Sequence, residues 1–374
     1  MAGQPTALGA EVPIRRVRQD GTVDLFGHWR PGQRELDLVA PGYPLAGVGK
    51  HPIEGDLPWV FDEAAPDGFL AKSFASWFPE LGLPRDRALW SPRNVVDAVC
   101  ERGHDLSGNL VIGEASWELY QRTFQGEGLI RGLDRAEAPL HYARFADQAL
   151  QVPSRSSVGG ARPKFVLRLA GGAGLIVKFT PPLSTQTGRR WADLLRMEAH
   201  AANVLRDAGI RTVGGRYLEH EGRGYLEVER FDRLPGGGRV GHVTLFNLGV
   251  ALYGEAENAT KVVAALARDG MTAADHARFQ RVHAFSRAIN NDDTHLGNYG
   301  LVIDDDGACM LAPAYDVVPM AFAPRHDELP DRLVRHAAPC DSATAALVER
   351  LVEVAEKDEG LSRDFFEAWR ASVA

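Results

Sequence analysis

The chain has 374 residues, of which 45% are hydrophobic and 25% charged, with a net charge of −8 at pH 7. That balance is ordinary for a globular protein and gives no global attraction to nucleic acid, and no apolar run reaches membrane-spanning length. The N-terminus has no charged-then-apolar leader, so a cytoplasmic location is expected. The scattered cysteines Cys100, Cys309 and Cys340 argue against a zinc ribbon or disulfide scaffold.

The length leaves room for two or three domains. In chain order, "IRRVRQDGTVDLFGHW" reads as a hairpin, because Asp20-Gly21 is a favoured tight-turn pair between alternating runs. "GFLAKSFASWF" and "RNVVDAVCERG" read as helices, the second stopped by Gly103. A further helix runs into a Pro/Ser-rich loop near Pro153, where a subdomain boundary is placed, giving residues 1–150 as an N-terminal subdomain. Residues 151–235 then read as a small lobe. "FVLRL", the turn "AGGAG" and "LIVKF" form one hairpin, and a helix runs from about Trp191 to Ala208, closed by Gly209. "GRYLEHEGRGYLEVERF" forms a second hairpin. Residues 236–374 read as mostly helical with one late interruption. The expected class is α/β (α+β), a small sheet with one helix leading into a helical lobe.

Five features within this frame bear on chemistry. "SSVGGARPKF", Ser156–Phe165, places two hydroxyls and two glycines before a strand, which suits either an anion-cradling backbone nest or a flexible surface loop. Lys178 ends the next strand, one hairpin after that loop, where an ammonium could meet nucleotide phosphates. Leu194, Glu198, Ala201 and Leu205 fall on one helical face, so Glu198 lies in an apolar stripe where a lone carboxylate is costly. Pairing with Lys178 removes that cost; a rotation exposing Glu198 is the alternative. "YLEVERFDR" reads as a hinge offering backbone groups to a planar base, or as an edge strand with salt bridges.

The fifth feature is "AINNDDTHLGN", Ala288–Asn298, which follows an amphipathic helix opened by Thr272 and Asp275. After it, "YGLVI", "DDDG" and "ACMLA" read as a hairpin whose closure brings Asn298 near Asp316. An amide oxygen and a carboxylate suit Mg²⁺, which takes few protein ligands beside phosphate and water oxygens. Asp293, five residues before Asn298, could deprotonate an attacking hydroxyl. This is the order of kinase-fold phosphotransferases, with His295 where protein kinases carry a lysine.

The stretches "SSVGGARPK", "VERFDR", "NDDTHLGN" and "YDVVP" together resemble the HipA family, the serine/threonine kinase toxins of bacterial toxin–antitoxin pairs. "APDGF" and "HDLSGNLVIGE" are similar in outline to that family's amino-terminal subdomain. The resemblance implies a two-lobed protein-kinase-like fold of the HipA type, dependent on ATP and Mg²⁺. It implies that Ser157, or the adjacent Ser156, is autophosphorylated and that Gly159, Gly160, Ala161 and Lys164 contact phosphates. Lys178 would hold the α/β-phosphates, supported by Glu198, and Glu229 to Phe231 would form the adenine hinge. Asp293 would be the base, accompanied by His295, with Asn298 and Asp316 holding the metal. A protein substrate, one connected with translation, and a DNA-binding antitoxin partner are implied, with no direct nucleic-acid or membrane binding.

Two departures stand out. Gly297 replaces the lysine common before the metal-binding asparagine, and the winged helix that some relatives carry is not expected here. Two rival readings stay open at this stage. One is a small-molecule kinase of the aminoglycoside or choline type, which "DTHLGN" fits nearly as well. The other is a catalytically silent binding module.

Overall fold

Strands β1 (Val12–Val17) and β2 (Val23–Trp29) pair antiparallel around the expected Asp20-Gly21 turn, where Gly21 takes φ +83°. Their sheet is completed by β3 (Asp37–Leu38) on one edge and β4 (Leu110–Ile112) on the other, in the order β3-β2-β1-β4. This is a computed structural model, and the residues it describes are 11–31, 36–39, 57–124, 132–150, 163–325, 328–330 and 341–373. Helices α1 (Trp59–Ala64), α2 (Gly68–Trp77), α3 (Pro92–Arg102) and α4 (Glu114–Phe124) surround the sheet. Ser91 caps α3 through a reciprocal box with Asn94, and Pro92 occupies the first turn, where its missing N–H costs nothing. The helix ends before Gly103, as expected.

Helix α5 (Tyr142–Leu150) packs Tyr142, Ala146 and Ala149 against Phe165, Leu167, Val177 and Phe179 of the next sheet. That sheet contains β5 (Lys164–Arg168) and β6 (Gly174–Phe179). Spanned by the long helix α6 (Gln186–Asp207), it continues with β7 (Gly215–His220) and β8 (Arg223–Glu229), in the order β5-β6-β8-β7. Both hairpins fall where the alternation predicts them. The β7–β8 turn places Glu221 and Gly222 at φ +45° and +73°, the double left-handed geometry that matches strand twist. Helix α6 closes at Gly209, φ +78°, as expected, but begins five residues earlier than the sequence suggested. Thr185 Oγ1 accepts the Gly188 N–H at 2.9 Å, so the segment before Trp191 is a capped first turn.

The remaining chain forms β9 (Gly241–Thr244), α7 (Leu245–Leu248), α8 (Ala259–Arg268), α9 (Ala273–Ala288), β10 (Gly300–Ile303), β11 (Cys309–Leu311), α10 (Ser342–Glu356) and α11 (Arg363–Val373). The β10–β11 hairpin is as predicted. β9 corrects the reading of helix after the glycine linker, pairing along β10 from Thr244–Gly300 to Gly241–Ile303. Four residues are too few to show alternation. One continuous core joins Ile14 and Phe26 of the first sheet, Val99 of α3, Leu194 and Leu205 of α6, and Phe285, Leu351 and Trp369 of the helical lobe. Among the described residues, no helix is long and apolar enough to cross a membrane.

Candidate active site

Lys178 lies near the end of β6, directly opposite Lys164 on β5, so the register sets both lysines on one face of the sheet. Two facing ammonium groups repel, and carboxylates offset the repulsion. Lys178 Nζ donates to Glu198 Oε1 of α6 at 2.5 Å and also to Asp316. The side chains of Lys178 and Glu198 are only 7% and 6% exposed. Of the two open orientations for Glu198, the apolar stripe of α6 therefore faces the core and takes the carboxylate inward with it.

Asp316 sits three residues before Pro319 with φ +55°, a left-handed conformation that a non-glycine residue adopts only where its surroundings hold it. Asn291 Nδ2 supplies one hold, donating to the Asp316 carbonyl at 3.1 Å. Tyr315 supplies another, its hydroxyl donating to the Gly297 carbonyl at 3.0 Å. These two bonds tie the segment before β10 to the segment after β11, which is the closure the hairpin predicts. Burial, with the charges of Glu63 and Asp316 nearby, pushes the Tyr315 hydroxyl well above the usual tyrosine range, so it stays a donor.

The loop leaving α9 is fixed mainly through asparagines. Asn290 takes φ +64°, its Nδ2 donating to Ser372 Oγ of α11 at 2.9 Å. The Asp293 N–H donates to Asn291 Oδ1 at 3.1 Å, and Asn298 Nδ2 donates to the Asp293 carbonyl at 2.6 Å. The last bond engages the amide nitrogen of Asn298, so its oxygen is the atom that could meet a cation. The donor set for a hard cation is then one amide oxygen and the Asp316 carboxylate, which fits Mg²⁺ accompanied by phosphate oxygens. His295 Nδ1 accepts the Gly297 N–H at 3.0 Å, and its Nε2 lies 3.7 Å from Asp293 Oδ1. A Cβ at residue 297 would press on the His295 ring, so glycine there permits this fold-back.

Phe231 stacks on Tyr315 with ring centroids 6.0 Å apart and meets His242 edge-on at 5.1 Å. Glu229 is exposed and bonded to Arg135 at 2.7 Å. Ser156, Ser157, Gly159, Gly160 and Ala161 of the expected glycine loop, together with Cys340, lie outside the described residues. Sequence reasoning passed over Asn291 and Tyr315. Both stand inside quoted motifs, but an asparagine that orients a backbone and a tyrosine that holds a carbonyl have no spacing rule of their own.

Comparisons with known proteins bear on the family and the fold. A family model described as the HipA-like C-terminal domain matches residues 156–370, and one described as the middle domain of YjjJ-like toxin matches residues 8–121. Toxin YjjJ of Escherichia coli (strain K12) is 31% identical over 325 residues, covering 84% of this chain and 70% of that one. Among solved structures, HipA of Shewanella oneidensis MR-1, in complex with HipB and operator DNA, superposes with a TM-score of 0.53 at 17% identity. That match covers 89% of this chain and 80% of the other. The fold is two-lobed, protein-kinase-like and of the HipA type, with an N-terminal α/β subdomain and a helical C-terminal lobe. With both the catalytic-lobe and the middle-domain models matched, the chain belongs to the HipA family, on its YjjJ-like side.

Proposed function

We propose that the chain is an ATP- and Mg²⁺-dependent serine/threonine protein kinase acting as a HipA-like toxin. The observation that carries this reading is Lys178 held between Glu198 and Asp316. An ammonium so placed is oriented for phosphate oxygens, and a ligand competing for it would release Asp316 toward a metal. Mg²⁺, held by Asn298 and Asp316, would supply neutralisation of phosphate charge.

Asp293 then accepts the proton of the attacking hydroxyl. The acceptor oxygen bonds the γ-phosphorus as its bond to the β–γ bridging oxygen breaks, and ADP leaves. His295, its Nε2 3.7 Å from Asp293 Oδ1, accompanies that carboxylate, and Phe231 borders the base. Lys164, facing Lys178 across the hairpin, adds positive charge on the phosphate side. Ser157 or Ser156 is the proposed self-modification site. Because HipA of Shewanella oneidensis was solved with HipB and operator DNA, a DNA-binding antitoxin is the proposed partner; with a net charge of −8, the chain itself has little attraction to DNA. Residues 1–150, 151–235 and 236–374 are proposed as N-terminal subdomain, nucleotide-binding lobe and catalytic lobe, in a cytoplasmic protein.

The test is titration calorimetry of Mg·ATP into wild type, Lys178→Met and Asp316→Asn. Binding by wild type that is weakened in both variants supports the reading. Equal heats for all three would overturn it.

A further inference from the structure

Apart from the exposed Glu229, the charged side chains of "VERFDR" are buried. Arg230, Asp232 and Arg233 side chains are 7%, 8% and 3% exposed. They bind the loop 105–108 of the N-terminal subdomain, which lies within "HDLSGN". Arg233 Nε donates to Asp105 Oδ1 at 2.9 Å and its Nη1 to the Gly108 carbonyl at 2.8 Å. Arg230 Nη1 reaches Asp105 Oδ1 at 3.3 Å. The Gly108 N–H donates back to Asp232 Oδ2 at 2.9 Å, which also accepts from Arg230 Nη2 and Arg233 Nη1, each at 2.9 Å. Against the cost of burial, Arg233, Arg230 and Arg239 hold the Asp105 carboxyl below its usual range.

Apolar packing could join two subdomains at least as firmly, because desolvation offsets most of what buried ion pairs contribute. Hydrogen bonds converging this way on Asp105 and Asp232 fix a geometry instead. The geometry they fix is that of the segment crossing between the lobes. The Glu229 N–H donates to the Gly214 carbonyl at 3.0 Å and the Arg230 N–H to the Gly174 carbonyl at 2.9 Å, so the strand is pinned just ahead of Phe231. Phe231 in turn stacks on Tyr315, which holds Gly297 and precedes Asp316.

We infer that Asp105 is a positioning residue of the nucleotide site: through Arg230 and Arg233, the N-terminal subdomain sets the interlobe segment on which the base rests. This rests on the kinase reading and adds that the catalytic lobes depend on the N-terminal subdomain for nucleotide affinity.

The experiment compares wild type, Asp105→Asn, Asp105→Glu and Val348→Ala, the last a core truncation in α10 chosen for a similar fall in Tm. Amide hydrogen exchange at Glu229 and Arg230 is read without nucleotide, and Mg·ATP affinity by titration. Asp105→Asn is expected to accelerate exchange at both amides and to weaken Mg·ATP about tenfold, the size of one lost charge-assisted hydrogen bond. Asp105→Glu should restore part of both, and Val348→Ala should change neither. Unchanged exchange in Asp105→Asn overturns the inference. Accelerated exchange with undiminished affinity overturns it equally. Failure of wild type to bind Mg·ATP refutes the kinase reading instead, while the exchange data still decide whether the clamp exists.

Discussion

Replacing Lys178 with methionine isolates the interaction at the centre of the cleft. The substitution keeps the side-chain length and removes the charge, leaving Glu198, 6% exposed, without its cation. Breaking a buried pair from one side costs about 3–5 kcal/mol. Methionine packs well in the vacated space and Asp316, 31% exposed, keeps some water, so a loss of about 3 kcal/mol is expected. Glu198→Leu should cost less, about 1–2 kcal/mol, because Lys178 keeps Asp316 as its partner. The double variant Lys178→Met/Glu198→Leu removes both charges, and leucine extends the stripe already formed by Leu194, Ala201 and Leu205. Its stability should return to within about 1 kcal/mol of wild type, the residue reflecting Asp316. Phosphotransfer by the double variant should nonetheless fall about a thousandfold, the scale on which a preorganised charge acts. Urea denaturation measures the first quantity and ATP turnover the second. Additive single losses would show that the two side chains do not interact as described, and a double variant with full turnover would show that Lys178 does not serve the chemistry.

Other perturbations test the frame around the site. Burial pushes the Asp193 carboxyl up to about 6, so the folded chain binds its proton more tightly than the unfolded chain does. Stability from this group is therefore highest below about pH 4 and is lost as pH rises to about 6. Asp193→Asn, which still accepts the Ser362 N–H, should stabilise by about 2 kcal/mol at pH 7.5 and by little at pH 4, as urea midpoints would record. Gly188→Ala would drive a methyl into the Pro182 carbonyl and should cost about 2 kcal/mol through the first turn of α6, read as a fall in Tm. Glu221→Asn in the β7–β8 turn relieves a left-handed glutamate and should add about 0.5 kcal/mol, measured by urea denaturation.

The candidate site is legible in the sequence where it rests on helical and strand periodicity and on hairpin closure. Lys178 and Glu198 sit on a strand and a helix that periodicity predicts, whereas Asp293, Asn298 and Asp316 lie in the segments between predicted elements. A hairpin must return its ends, and the Tyr315 bond to the Gly297 carbonyl shows the neighbours of Asp316 and Asn298 meeting. What stayed out of view was the support. Asn291, Tyr315 and the left-handed Asp316 hold the loops through single backbone bonds that leave no periodic trace. The start of α6 was misplaced because its cap, Thr185, stands in a polar run that resembles a loop. The clamp between Asp105 and the interlobe segment joins residues more than a hundred positions apart, and the side chains alone gave no sign of which carboxylate met which guanidinium.

The most direct measurement of the central claim is phosphate transfer itself. Wild type and Asp293→Asn are incubated with radiolabelled ATP and Mg²⁺, both confirmed unphosphorylated beforehand, and incorporated label is mapped. The account predicts label on Ser156 or Ser157 in wild type alone. Equal labelling of both proteins would remove Asp293 from the role of base. No label in either would contradict the protein-kinase claim and leave a HipA-type fold whose chemistry lies with another substrate or has been lost.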